Sequence, residues 1–162
     1  MNEQQRLYLV QARSDWRVFH LLKDEPVCHR LHYLQMCTEK LGKAYFWRGM
    51  GAENLGHTAF VKFVQAMATH GKLANDLGFR TLNSFNEWID YVSPLVHDIE
   101  RLAPALAGTG PNPEYPWPRN LPQYAPVEEG ANFQVWRNYR TPNGHQLQRM
   151  LELVLNKFEA WF

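Results

Sequence analysis

The stretch Pro26-Val-Cys-His-Arg-Leu-His-Tyr-Leu-Gln-Met-Cys-Thr-Glu-Lys-Leu-Gly-Lys-Ala-Tyr45 decides the fold class. Leu31, Leu34, Thr38, Leu41 and Tyr45 recur at steps of three and four and so share one helical stripe, while Arg30, Gln35, Glu39 and Lys43 fall mostly outside it. An amphipathic helix of this length needs partners of the same kind, and both sides of the stretch supply them. Upstream, Leu7, Val10, Ser14, Val18 and Leu21 or Leu22 keep helical spacing from about Glu3 to Lys23, with Trp16 and Phe19 widening the apolar face. Asp24-Glu25-Pro26 then closes a tight helical hairpin, with Pro26 in the first turn of the second helix.

Downstream, Gly49 to Gly56 is a glycine-rich connection, and Phe60, Phe63, Val64 and Met67 mark a third helix from Thr58 that Leu73 and Leu77 extend to Gly78. Ser84-Phe-Asn-Glu87 has capping-box spacing and opens a fourth helix in which Pro94 is expected to cause a kink or a break. Residues 108–130 hold six of the ten prolines and cannot be helical. Tyr115, Trp117 and Tyr124 predict an ordered arm fastened to the bundle, with Tyr115 and Trp117 buried. Asn132 to Tyr139 reads as a short strand or an extended approach. Thr141-Pro142 starts the last helix, where Leu147, Met150, Leu151, Val154, Leu155 and Phe158 line one face. The expected fold is therefore all-α: one domain over residues 1–162, a bundle of four or five helices with a proline-rich ordered arm before the last.

Composition narrows the function classes. With 17 basic and 16 acidic residues the net charge is +1, so no global field draws the chain to nucleic acid or membranes, and any nucleic-acid contact must be local. No apolar run approaches a membrane span and the N-terminus has no signal-peptide pattern, which predicts a cytoplasmic protein. Cys28 and Cys37 lie nine residues apart on one helix, about half a turn out of phase, and cannot bridge each other. Cys28 with His32 forms a metal half-site that His29 or His57 would have to complete. No second closely spaced Cys/His pair exists, so neither a metal nor another cofactor is expected.

The run His29-Arg-Leu-His-Tyr-Leu-Gln-Met-Cys-Thr-Glu-Lys-Leu-Gly-Lys-Ala44 resembles the second helix of HEPN domains (higher eukaryotes and prokaryotes nucleotide-binding), with their Glu-Lys-Leu/Ala-x-Lys-Ala core. Asn112-Pro-Glu-Tyr-Pro-Trp117 is similar to the insertion that some members carry before the last helix. The resemblance implies a helical bundle, a two-fold dimer whose terminal helices share one cleft, and, where the family is catalytic, metal-independent RNA cleavage by an Arg, commonly followed by a polar residue, and a His after four to six intervening residues. Arg140-Thr-Pro-Asn-Gly-His145 has that spacing, although Pro142 intrudes in the spacer.

The chemistry suits the pair, since His145 can take the proton of a ribose 2′-hydroxyl while the planar fork of Arg140 binds the scissile phosphate. His145 falls in the first turn of its helix, whose dipole opposes an imidazolium, on a polar face with Gln148, Arg149 and Glu152. Twenty-two aromatic residues are many for this length, and Tyr115 and Trp117 beside Arg119, Arg137, Asn138 and Arg140 are the types that stack bases and contact phosphates. Interfaces use the same types, and Phe158-Glu-Ala-Trp-Phe162 is expected to form an exposed, aromatic dimer surface. Two functions follow as expectations. One is an RNA- or nucleotide-binding protein, in the active case an endoribonuclease of a toxin or defence system with an antitoxin partner. The other is a non-catalytic interaction protein that works with a partner chain such as a nucleotidyltransferase.

Overall fold

A computed structural model describes residues 1–47, 56–117 and 122–162. Among these residues seven α-helices follow in order: α1 (Glu3–Leu21), α2 (Val27–Phe46), α3 (Ala59–Met67), α4 (Gly71–Asp76), α5 (Leu82–Glu100), α6 (Gln134–Tyr139) and α7 (Pro142–Trp161). Among the described residues there is no strand, only an isolated antiparallel bridge between Trp117 and Tyr124. The chain is thus an all-α bundle with more helices than the four or five expected. No described helix is long and apolar enough to cross a membrane.

The centre of the bundle is α2, which packs against α1, α3 and α5. Leu31, Leu34, Thr38 and Leu41 are buried as their spacing predicts, and Cys28, Cys37 and Ala44 widen the buried face because neighbours cover α2 on more than one side. Gly42 lets the start of α3 lie directly on α2, since a Cβ there would stand 2.6 Å from the carbonyl oxygen of Ala59. Burial pushes the thiol of Cys37 far above the usual cysteine range, with the Asp15 charge adding to the shift and Lys40 opposing it, so the thiol is inert.

The facing surface of α1 differs from the expected one. Leu9, Ala12 and Phe19 are buried, whereas Leu7, Val10 and Leu21 are 47%, 51% and 71% exposed. Two apolar stripes run along this helix, and α2 receives the one that also carries Gln5 and Asp15 because both find partners there. Gln5 Nε2 donates to the Ala44 carbonyl at 3.2 Å, and Lys40 Nζ donates to Asp15 Oδ2 at 2.6 Å. Asn2 and Gln5 close a reciprocal capping box at the helix start.

The expected third helix is two helices, α3 and α4, broken at 68–70, where His70 Nδ1 accepts from the Leu73 amide and starts a new turn. Its beginning is capped from far away: the buried Glu100, last residue of α5, accepts from the Val61 amide at 3.0 Å. Helix α5 starts three residues earlier than expected, with Thr81 as cap and Ser84 as its reciprocal partner, so Ser84 is the third residue of the helix rather than its cap. Pro94 neither splits nor ends it. Both Pro94 and Asp90, whose carbonyl loses its helical donor, are exposed, so water can satisfy that oxygen.

The described part of the arm is ordered through three attachments. Trp117 is 8% exposed and packs on Phe133 with ring centroids 5.1 Å apart. Asn112, itself buried, accepts from the amides of Glu114 and Tyr115 at 2.8 and 3.2 Å. Glu114 sets its carboxylate 3.2 Å from His32 Nδ1 on α2. Tyr115, expected to be an anchor, is 59% exposed, because Asn112 and Trp117 already hold the backbone on either side of it. The segment read as a short strand is a 3-10 turn, Gly130–Asn132, followed by α6.

Helix α7 follows the sequence reading closely. Thr141 caps it, Pro142 is its first residue, and Leu147, Met150, Leu151, Val154, Leu155 and Phe158 are all buried. The C-terminus is not the open aromatic surface expected of it. Phe162 folds back against Tyr45, Phe158 and His70 at centroid distances of 5.1, 5.0 and 5.3 Å, so these rings serve the chain's own core.

Candidate functional site

The junction between α6 and α7 holds most of the residues singled out by the sequence. It is rigid for local reasons. Asn138 offers its carbonyl to the Thr141 amide and hydroxyl at 3.2 and 2.7 Å, and its side chain accepts from Gln134 Nε2 at 2.9 Å. Thr141 Oγ1 in turn accepts from the Gly144 amide at 3.3 Å. Gly144 is pressed onto α6, where a Cβ would stand 2.2 Å from the Tyr139 carbonyl oxygen, a position only glycine can hold without moving the backbone. Asn138 is therefore part of the frame of the junction.

On this frame Arg137, Arg140 and His145 are exposed, and none of the three gives its side chain to another described residue. Arg140 is the residue after the last turn of α6, and His145 sits in the first turns of α7, its amide donating to the Thr141 carbonyl at 2.9 Å. The Arg-x4-His spacing thus spans a tight corner that fixes both backbones and leaves both side chains open to solvent.

The structure adds a residue that sequence reasoning did not select. Arg30, in the first turns of α2, sets its guanidinium in the corner formed by two aromatic rings, with Cζ 4.4 Å from the Trp136 centroid and 4.9 Å from that of Phe19, the rings themselves meeting at 71°. Such stacking of a partly desolvated cation is worth about 1–2 kcal/mol. Phe19, Trp136 and Tyr139 pack on one another at 5.9 to 6.5 Å, so α1, α2 and α6 meet here. Burial lowers the Arg30 guanidinium from its ordinary range, the nearby Arg140 charge lowers it further, and Tyr139 and Asp24 oppose the shift. Among the described residues Arg30 forms no ion pair, and its Nε is buried without a hydrogen-bond partner. The hydroxyl of Tyr139, a residue 2% exposed, is likewise without a partner, and burial raises it far above the usual tyrosine range. His20 packs on Trp16 and Phe19; burial and then the Arg30 charge hold it below the usual histidine range, against the pull of Glu152.

The remaining predicted residues lie elsewhere. Trp117 is the buried anchor of the arm, so its ring face is taken by Phe133 and is closed to a base. Tyr115 lines a separate cavity of about 230 Å³ with Pro104, Asn112 and Trp117. Arg119 lies outside the described residues. A cleft of about 440 Å³ opens at the other end of α6, between Asp98, Arg101, Phe133 and Val135, and none of the predicted residues lines it. The metal half-site does not assemble with His57: His57 Nδ1 is 2.8 Å from Glu39, three turns along α2 from Cys28.

No sequence-based sign marked Arg30, because its partners come from two other helices. The nearest clue was the cluster Trp16, Phe19 and His20 at the end of α1, more aromatic than a hairpin corner needs. Compared with protein-family models, curated proteins and solved structures, the chain matches none.

Proposed function

We propose that this chain is a HEPN-like RNA- or nucleotide-binding protein of the cytoplasm that acts as a metal-independent endoribonuclease of a toxin or defence system. The observation that carries the reading is the α6–α7 corner. It holds Arg140 and His145 on a rigid backbone with neither side chain committed to a described partner, while the polar neighbours Asn138 and Thr141 are fully engaged.

In the proposed reaction Arg140 binds the scissile phosphate through its fork and offsets the charge that builds on it. His145 accepts the proton of the ribose 2′-hydroxyl, the 2′-oxygen attacks phosphorus, and the 5′-oxygen departs and takes a proton from solvent. The products are a 2′,3′-cyclic phosphate and a 5′-hydroxyl. The purified protein should therefore cleave single-stranded RNA in the presence of a chelator. Equal cleavage by wild type, Arg140→Ala and His145→Ala would assign the activity to another site or to a contaminant.

A second reading, a non-catalytic interaction protein, is favoured by one observation. The outer stripe of α1 exposes Leu7, Val10 and Leu21 at helical spacing, an apolar face that the bundle leaves uncovered. A homodimer or a partner chain such as an antitoxin or a nucleotidyltransferase would use such a face. Light scattering at micromolar concentration should give twice the chain mass of 19.0 kDa if α1 mediates the dimer, and Leu7→Glu with Val10→Glu should return the mass to that of one chain.

A further inference from the structure

We infer that the cleft between the end of α5 and the start of α6 binds a small zwitterion with an apolar body, a free aliphatic or aromatic α-amino acid, whose ammonium meets Asp98 and whose carboxylate meets Arg101. The cleft shares no residue with the α6–α7 corner, so the inference goes beyond the proposed function and is independent of it.

The cleft has the size and the lining of a small-molecule site. Its volume is about 440 Å³, inside the range of roughly 300–1,000 Å³ that such sites span. Leu102, Phe133 and Val135 make the lining apolar, and Asp98 and Arg101 bring two opposite charges to it. Phe133 is fully buried and packs on Trp117 with centroids 5.1 Å apart, so the anchor of the arm also fixes this wall. Gln134, the other polar side chain at the cleft, already donates to Asn138 at 2.9 Å.

Asp98 is poorly placed for a residue with no task. It lies in the last turn of α5, whose dipole opposes an anion. It is half-buried, and burial raises its carboxyl above the ordinary 3.8 against the charges of Arg101 and His97. Even so, among the described residues its carboxylate accepts no hydrogen bond and forms no ion pair, and the exposed guanidinium of Arg101 is equally uncommitted. Two opposite charges three positions apart on one helix line the same cleft without closing on each other.

That charge pattern selects the ligand. A simple amine is drawn to Asp98 and to the carbonyl end of α5 but is repelled by Arg101. A phosphate or a lone carboxylate is drawn to Arg101 but is repelled by Asp98. A molecule that carries both signs satisfies both residues, and side chains three apart on a helix start only about 5–6 Å from each other, a span that the two charged groups on one α-carbon can bridge. The apolar lining then takes the side chain of the amino acid.

Calorimetric titration of the full chain tests the site. The probes are L-leucine and L-phenylalanine, with 2-phenylethylamine, which lacks the carboxylate, and 3-phenylpropionate, which lacks the amine. At least one amino acid should bind with a Kd of about a millimolar or below, and each half-charged analogue should bind about tenfold or more weakly than L-phenylalanine. Asp98→Asn and Arg101→Gln should each weaken the amino acid about tenfold. Neither should lower the melting temperature, because the first removes an uncompensated charge and the second is exposed. Ala107→Phe, on the cleft wall, keeps both charges but fills the space, and should abolish binding. The inference is overturned if neither amino acid binds at about 10 mM, if the analogues bind as well as L-phenylalanine, or if both charge variants or Ala107→Phe bind like wild type. Should Asp98→Asn fail to fold by circular dichroism, Arg101→Gln makes the same comparison at an exposed position. RNA cleavage should be the same in all three variants as in wild type, so the loss of either reading leaves the other standing.

Discussion

Two polar clusters lie some 15 Å apart along α2, and they treat charge in opposite ways. Toward the C-terminal end, each basic group has an acid: Lys40 holds the buried Asp15 at 2.6 Å, and Lys43 and His57 hold the buried Glu39 at 2.5 and 2.8 Å, with Gln35 donating a further bond at 2.8 Å. Toward the N-terminal end, Arg30 lies against the rings of Phe19 and Trp136 and forms no ion pair among the described residues. The first cluster is what a buried polar group needs in order to be tolerated, since an unmet carboxylate in the interior costs several kcal/mol. The second rests a half-buried cation on aromatic faces instead of on a carboxylate, an attraction of about 1–2 kcal/mol. The contrast is between charge met by charge and charge met by the faces of rings.

The comparison breaks most clearly if the two ends respond alike to mutation. The largest effect should fall on activity at the unpaired end: His145→Ala and Arg140→Ala should each lower metal-free RNA cleavage by about 10²–10⁴-fold, followed by gel assay in a chelator. Their melting temperatures should stay within a degree or two of wild type, because both side chains are exposed and unbonded. Next comes the paired end. Glu39→Ala should cost about 3 kcal/mol in denaturant unfolding, since it strands Lys43 and removes the acceptor of three bonds, and should leave metal-free RNA cleavage by the folded protein unchanged.

A smaller effect, of definite sign, should appear with pH. Burial alone would raise the Glu39 carboxyl, but the bonds from Lys43, His57 and Gln35 outweigh it and hold the group below its ordinary 4.5. A carboxylate depressed in the folded state contributes stability that is fully present above its unfolded value and is lost as pH falls through its folded one. Unfolding free energy should thus decline as pH is taken from about 5 toward 3, and Glu39→Gln should flatten that slope. The smallest change should be the stability of Arg30→Met, about 1–2 kcal/mol by thermal melting, because the methionine stem keeps the apolar contact with Phe19 and Trp136 and only the attraction of the cation for the rings is lost. A loss as large as that of Glu39→Ala would erase the difference between the two ends.

Elements that declare themselves within a single helix were legible in the sequence. Leu31, Leu34 and Leu41 on α2 and Leu147 to Phe158 on α7 each form one dominant apolar stripe, and Thr141-Pro142 is a local start signal with one reading. Legibility failed where local signals competed. Leu7, Val10 and Leu21 rival Leu9, Ala12 and Phe19 on α1, and only the partners waiting on α2 for Gln5 and Asp15 break the tie. Capping-box spacing occurs twice in succession, from Thr81 to Ser84 and from Ser84 to Glu87, and the chain uses the first. Six-residue α6 is too short for periodicity to reveal. Of the site, Arg140 and His145 were visible because they are near in sequence. Arg30 was not, because its cage is assembled from α1 and α6.

The bond from the Val61 amide to Glu100 links residues 39 positions apart, and it bears on the order in which the chain acquires its structure. Nine-residue α3 is shorter than helices that persist alone in water, and its cap residue Thr58 makes no side-chain capping bond. Contact with α2 at Gly42 is available as soon as α3 is made, but the Val61 amide gains its acceptor only once the far end of α5 has arrived. In the finished protein, exchange of that amide with solvent deuterium therefore follows the undocking of α5 from the start of α3.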